Sequence, residues 1–444
     1  MTTEIAVSNR LGIALATDSA VTITGGGRVK VFDTADKLFE LSNIHPVGVM
    51  INGNMDCLGV PWEILAKNFR EQEGLRERPK IDNWGRDFLT YIEAHSLISE
   101  TLLGGYVENV TINEIVAVQM RVRQMLEHTV YQASDMKNHK LRRGEFDVRQ
   151  VLAETIAERM KYLEGYSIAD SLKELDAKDV REKYAEAIGK VLSERFTGYE
   201  LTADEISGLT DLVVQSLLRS YPSDFGAGIV IAGFGSDETF PALFSAEVDG
   251  RVAGKLKIVD IKSNSIATSE NGGEMIYFAQ TDVIERLVKG VHPDFVGKTA
   301  EFIEQAVTQV GDALEKATRR KRTSQKRIAE RERLIREVAE TVADEYQNKT
   351  SETFKEGFSR EFDRMVALMP KQELIELAEA LVSITAVERK ATSDEGTVGG
   401  PIDVAFITKH EGFVWIKRKH FFEASLNPRY FWRKYGNPNI LGAS

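Results

Sequence analysis

The stretch "TTEIAVSNRLGIALATDSAVT", Thr2–Thr22, decides how the rest of the chain is read. Two short runs rich in apolar and β-branched residues, "EIAV" and "GIALATDSAVTI", flank "SNRLG", which reads as a hairpin connection. A chain that begins inside a strand has its first residues held in place. If the loop is short, paired positions sum to roughly 19 or 20, which sets Thr2 across from Thr17 or Asp18. The start of the chain is therefore expected to meet a carboxylate. Removal of Met1, usual before a residue as small as threonine, leaves Thr2 with a hydroxyl and a free α-amine on one residue. A threonine hydroxyl is a weak nucleophile until a base takes its proton. An α-amine, with a reference pKa of about 7.7 to 8.0, titrates near enough to neutrality to be that base. A neighbouring lysine lowers the proton affinity of both groups, and a carboxylate holds the lysine; Lys37 and Asp18 have the right chemistry.

Working outward, "TGGGR" and "RVKVFD" continue an antiparallel run to Leu41, and "VGVMINGNMD" adds a strand ending at an Asn-Gly-Asn turn. A helix is expected next, with Asp56 near its start and "CLGVPWEILAKNFREQ" carrying apolar residues three and four apart. From Trp84 to Leu218 the pattern is helical. Strand signals return at "GAGIVIAGFG", "PALFSAEVDGRV" and "KLKIVDIKS", with Gly250 expected at a hairpin tip, and a second helical block runs from Ile276 to Glu388. The closing strands "PIDVAFITK" and "GFVWIKRK" are joined by "HEG". Each strand block is too short for an independent sheet, so the pooled strands are expected to form one α+β core carrying helical insertions.

Composition narrows the function. The chain has 444 residues, 42% of them hydrophobic, and a net charge of −11, which disfavours a nucleic-acid partner. The basic segment Arg319–Arg336 interleaves glutamates and apolar residues but no aromatics, and reads as a helical arm. A single cysteine, Cys57, excludes an internal disulfide framework, and the scattered histidines give no metal-ligand spacing, so no metal or other cofactor is expected. Neither "GGG" nor "GFGS" has the following helix of a nucleotide-binding loop. The N-terminus lacks a secretory pattern and no window suits a membrane span, so the expected location is the cytoplasm.

The blocks "TTEIAVSNRLGIALATDSAVT", "DKLFELSNIHPVGVMINGNMD", "GAGIVIAGFGSDETFPALFSAEVDGRV" and "DEGTVGGPIDVAFITKHEGFVWIK" resemble, in that order, proteasome β-type subunits and their bacterial relatives in the N-terminal-nucleophile hydrolase superfamily. The resemblance covers roughly half the chain. It implies a four-layer αββα sandwich with two large helical insertions, and amide hydrolysis by an N-terminal threonine. It assigns catalysis to Thr2, Asp18 and Lys37, and the oxyanion to a backbone N–H at Asn52 or Gly53. Ser19, Asn271 and either Asp394 or Glu395 fall at supporting positions, with Asn271 and Val398 standing where the family has serine. Val21, Met50 and Asn54 fall on the specificity pocket, implying a medium-sized, mostly apolar side chain in the substrate.

The expected organisation is a discontinuous core of residues 2–83, 221–287 and 366–420. A helical insertion fills 84–220, a charged helical arm 288–365, and a tail 421–444. Expected partners are a peptide or protein substrate, further copies of the chain, and an unfolding ATPase. Two other readings stay open: a non-catalytic ring or scaffold subunit, and an amidase for small amides.

Overall fold

The computed structural model describes residues 3–25, 28–95, 100–135, 147–223, 225–265, 272–279, 282–318, 325–392 and 399–435. The chain divides into two compact units. The first comprises Met1–Leu38, Thr239–Pro241 and Ser265–Ser444, and the second Phe39–Glu238 and Ala242–Asn264.

In chain order the first unit opens with β1 (Thr3–Asn9), β2 (Gly12–Thr17), β3 (Val21–Gly25) and β4 (Arg28–Phe32). Strands β5 (Leu38–Glu40), β6 (Val47–Gly53), β7 (Asp56–Cys57) and β8 (Val60–Pro61) follow. Six helices come next: α1 (Trp62–Gln72), α2 (Ile81–Ala94), α3 (Glu100–Asp135), α4 (Val148–Glu164), α5 (Ala177–Arg195) and α6 (Ala203–Leu218). The second unit closes with β9 (Ala227–Gly233), β10 (Ala242–Val252) and β11 (Lys255–Ser265). The chain then returns through β12 (Gly273–Ala279), α7 (Asp282–Lys289), α8 (Pro293–Thr318), α9 (Gln325–Glu345), α10 (Glu352–Leu368) and α11 (Lys371–Thr392). It ends with β13 (Asp403–Thr408), β14 (Gly412–Lys417) and α12 (Pro428–Tyr435).

The first unit is built on a five-stranded sheet in the order β12-β1-β2-β13-β14, and β3 pairs with β4 apart from it. Alternation along the strands decides what meets the helices: Ile5 and Val7 of β1, Ala14 and Ala16 of β2, and Val404 and Phe406 of β13 pack with Leu374, Ala378 and Leu381 of α11. The Asn9 side chain fixes the hairpin to the helices, donating to the carbonyls of Val366 and Met369 at 3.0 and 2.9 Å. Pairing runs from Glu4↔Thr17 to Asn9↔Gly12. The loop is therefore only Arg10–Leu11, and the expected register is corrected: Thr17 faces Glu4 and Asp18 continues the ladder beside Thr3, where one of the two was expected across from Thr2; the Asp18 N–H donates to the Thr3 carbonyl.

The second unit has its own five-stranded sheet, β11-β10-β9-β6-β5. One face carries α1 and α2 through Trp62, Phe69, Trp84 and Phe88, while α3 to α6 gather a separate apolar cluster around Leu163, Ile188, Leu209 and Leu217. Both units are thus antiparallel sheets with helices packed on them, a mixed α+β architecture.

Three local expectations are corrected. Asp56 opens the tight hairpin β7-β8 and α1 starts only at Trp62, because Leu58 and Gly59 both take positive φ and close a two-residue turn before Pro61. Gly250 lies inside β10 against the Tyr106 ring; the hairpin tip is Ala253–Gly254, again a pair at positive φ. Residues 276–279 are strand, as β12 pairs along β1 from Gly273 to Ala279.

Leu381 is 1% exposed between α11 and the sheet. Leu381→Ala is expected to cost about 2 to 5 kcal/mol by removing buried methyl groups and leaving a cavity. A urea midpoint unchanged from the parent would contradict that packing.

Candidate functional site

Asp18 follows directly from β2, where the ladder ends and its side chain turns into the protein. It is fully buried, as are Thr3, Ser19 and Lys37. One carboxylate oxygen accepts from the Thr3 backbone N–H at 3.0 Å and from the Lys37 ammonium at 2.8 Å. The other accepts from the N–H groups of Ala20 at 3.3 Å and Gly399 at 3.2 Å. The Thr3 N–H belongs to the peptide bond joining Thr3 to Thr2, so Asp18 grips the residue next to the proposed nucleophile. Thr2 itself lies outside the described residues.

Lys37 stands just before β5 and also donates to the Ala20 carbonyl at 2.6 Å. Burial pushes its pKa below the ordinary 10.5, opposed by the charge and hydrogen bond of Asp18 and by the charge of Glu4, and reinforced by Lys419. A buried ammonium on one carboxylate is a fixed positive charge at the head of the chain.

Ser19 ties the same corner to the far end of the sequence. Its hydroxyl donates to the Pro401 carbonyl at 2.5 Å and its N–H to the Gly399 carbonyl at 3.1 Å. Gly400 requires glycine, because its φ is +76° and an added Cβ would sit 2.4 Å from the Asp33 carbonyl oxygen. The supporting positions Asn271, Asp394 and Glu395 lie outside the described residues. Val21 opens β3 opposite Phe32.

The remaining predicted positions belong to the second unit. Met50 is fully buried in β6 opposite Val230. Asn52 faces Gly228, and Gly53 ends the strand at φ +77°. Asn54 lines a cavity of about 330 Å³ together with Asp56, Leu58, Trp62, Tyr106 and Asn109.

Sequence reasoning missed Glu4, Asp403 and Lys419. Glu4 is fully buried in β1, and Asp403, opposite Thr17 at the start of β13, is held by Lys419, which also reaches Asp36 at 3.2 Å. Strand pairing was the signal that would have found Asp403. The reading also missed a second buried pair, Lys257 with Asp249 at 2.9 Å, in the other unit. Among the described residues no cluster of His, Cys, Asp and Glu could hold a metal, and no helix is long and apolar enough to cross a membrane.

No family model and no curated protein matches the chain. Solved structures similar to it include the following three. The helical assembly of the Anbu complex from Pseudomonas aeruginosa matches at 9% identity and TM-score 0.27, covering 100% of this chain and 98% of that one. A Gly-1 mutant of Anbu from Hyphomicrobium sp. strain MC1 matches at 10% identity and TM-score 0.24, with coverage of 100% and 98%. Anbu from Yersinia bercovieri, described as an ancestral β-subunit, matches at 9% and TM-score 0.25, again over 100% and 98%. These neighbours correct the family named from the sequence: they are Anbu proteins, distinct from the proteasome β-type subunits that the motifs resemble.

Lys37→Met strands the Asp18 carboxylate in a buried site and is expected to cost about 3 to 5 kcal/mol. Adding Asp18→Asn should restore part of that loss, because no buried charge then remains; strictly additive urea midpoints would contradict the pair. Lys37 also sets a pH dependence. Its folded pKa lies below the unfolded value, so between the two the unfolded chain binds more protons and stability rises with pH. The stability of the parent relative to Lys37→Met should therefore increase as pH climbs toward 10.5. A constant difference across that window would show that the ammonium is not destabilised by burial.

Proposed function

We propose that the chain, once Met1 is removed, is a threonine-nucleophile hydrolase that cleaves amide bonds of peptides. One observation carries this reading: a single, fully buried oxygen of Asp18 accepts both the N–H beside Thr2 and the Lys37 ammonium. The arrangement supplies what an N-terminal threonine lacks. Asp18 fixes the backbone next to it, and the Lys37 charge lowers the proton affinity of hydroxyl and amine.

In the proposed reaction the Thr2 hydroxyl oxygen attacks the carbonyl carbon and the Thr2 α-amine takes the hydroxyl proton. The tetrahedral adduct collapses, the carbon–nitrogen bond breaks, and the proton passes from the α-amine to the leaving nitrogen. An ester to Thr2 remains. Water then attacks the ester with the same amine as base, which releases the acid and restores the hydroxyl. The oxyanion donor is kept as the motifs assign it, a backbone N–H at Asn52 or Gly53. The motifs assign Val21, Met50 and Asn54 to the specificity pocket, which suits a medium-sized, mostly apolar substrate group.

Intact mass should show loss of Met1, and a threonine-directed electrophile should add once per chain. Thr2→Ala should abolish labelling and peptide turnover while leaving the thermal unfolding curve in place. Lys37→Ala and Asp18→Ala should each lower turnover by orders of magnitude, and the double variant should be little worse than the poorer single. Retained Met1, undiminished turnover in Thr2→Ala, or losses that multiply would each count against the proposal.

A further inference from the structure

Helices α8 and α9 form an antiparallel pair in the first unit. Val296 and Ala300 of α8, and Ile328, Ala339 and Ala343 of α9, are buried; Gly311 of α8 meets the Ile335 side chain of α9, so close that a Cβ on the glycine would be 2.5 Å from it. These residues mark the inward line of each helix.

The large apolar residues left in solvent follow a second line. Six of them are Phe295, Phe302 and Val310 of α8 and Leu334, Val338 and Val342 of α9, with Phe302 69% and Val338 54% exposed, and Leu314 of α8 is exposed as well. Every one of the six stands one residue before an inward position: Val296, Ile303, Gly311, Ile335, Ala339 and Ala343. One residue back is a rotation of about 100° in the same sense about each helix's own axis. Because the two axes run in opposite directions, that rotation carries both lines to the same side of the pair. The arm therefore presents a continuous apolar face two helices wide.

The six side chains expose on the order of 500 Å² together, the size of the largest apolar patch on a soluble surface, which is often a functional one. Two such faces bury about 1,000 Å², the lower bound for a specific interface. Helix α8 carries five acidic residues against two basic ones, which disfavours an anionic lipid surface as the occupant. A face of paired antiparallel helices is also complementary in shape to a copy of itself, since a two-fold axis lying in the interface closes two helix pairs into a four-helix bundle.

We propose that this face of α8 and α9 is a homodimer interface, and that the occupant is the same face of a second copy. Sedimentation velocity on the full chain at micromolar concentration should show association. Phe302→Glu and Val338→Glu should each raise the dissociation constant at least 100-fold. Glu304→Gln, an exposed change about 200° around α8 from Phe302, should leave it within 3-fold. All three sites are exposed, so circular dichroism should match the parent. A chain carrying Val338→Cys, whose native Cys57 is buried, should be joined into a covalent dimer by a bismaleimide of a length to span the bundle, and Phe302→Glu should suppress that product. A monomeric parent, association untouched by both glutamates, or equal binding of the parent to anionic vesicles and loss of that binding in both glutamate variants would overturn the proposal. Labelling of Thr2 should be the same in all variants, so the result stands apart from the proposed chemistry.

Discussion

The carboxylate of Asp18 is the point on which the first unit turns. Its two oxygens collect four donors, the N–H groups of Thr3, Ala20 and Gly399 and the ammonium of Lys37, from segments that lie at opposite ends of the chain. A buried carboxylate is tolerated only when its lone pairs are filled and a cation is close, so each donor is a condition on the others. The end of β2 must sit beside the first strand, the segment before β5 must bring Lys37 inward, and the glycines before β13 must let the backbone come close. Ser19 repeats the constraint from the next position through its bonds to Gly399 and Pro401.

A buried lysine–aspartate pair is not by itself a sign of chemistry, and the second unit supplies the comparison. Lys257 gives its protons to Asp249 and to the carbonyls of Ser216 and Tyr221, while Asp249 also takes the Tyr106 hydroxyl and the Ser223 N–H and hydroxyl. That pair joins α3 and the end of α6 to the sheet, and its partners are internal side chains and backbone groups. The Asp18 pair differs in what it holds: the amide next to Thr2, the one residue that processing can endow with both nucleophile and base. The difference lies in the neighbour, since both lysines are pushed below the ordinary value by burial.

Much of this was legible in the sequence because the signals were local. The "SNRLG" and "HEG" turns, the apolar runs and the helical periodicities mark elements through chemistry that acts over a few residues. The exact register was not, since a loop of two residues and one of three differ by a shift that composition does not encode. Leu58 and Ala253 hid the two tight turns for a related reason: each takes positive φ, which a reader of sequence grants to glycine and asparagine. Glu4, Asp403 and Lys419 were missed because their partners come from strand pairing between distant segments. Asp18 and Lys37 were reached by hairpin register and charge type, and the resemblance then stood in for the pairing that the sequence does not show.

The place where the long helical block enters the second unit explains how so much chain can be added without disturbing a sheet. Residues Gly53 of β6 and Ala227 of β9 are direct partners in the ladder, and the Asn54 N–H donates to the Gly226 carbonyl at 3.1 Å just beyond it. Everything from Asn54 to Gly226 therefore leaves and returns at one point of the sheet's end. Loop-closure entropy grows only with the logarithm of length, about 0.6 kcal/mol for each doubling, so the extension is cheap once it has a core of its own. The cluster of α3 to α6 provides that core. Gly53 is the residue on which the exit depends, because at φ +77° any Cβ would approach the Gly226 carbonyl oxygen to 2.6 Å. The turn that the motifs assign to the oxyanion is thus also where the added chain leaves the sheet, and the cavity lined by Asn54, Asp56, Tyr106 and Asn109 lies between the sheet's end and α3.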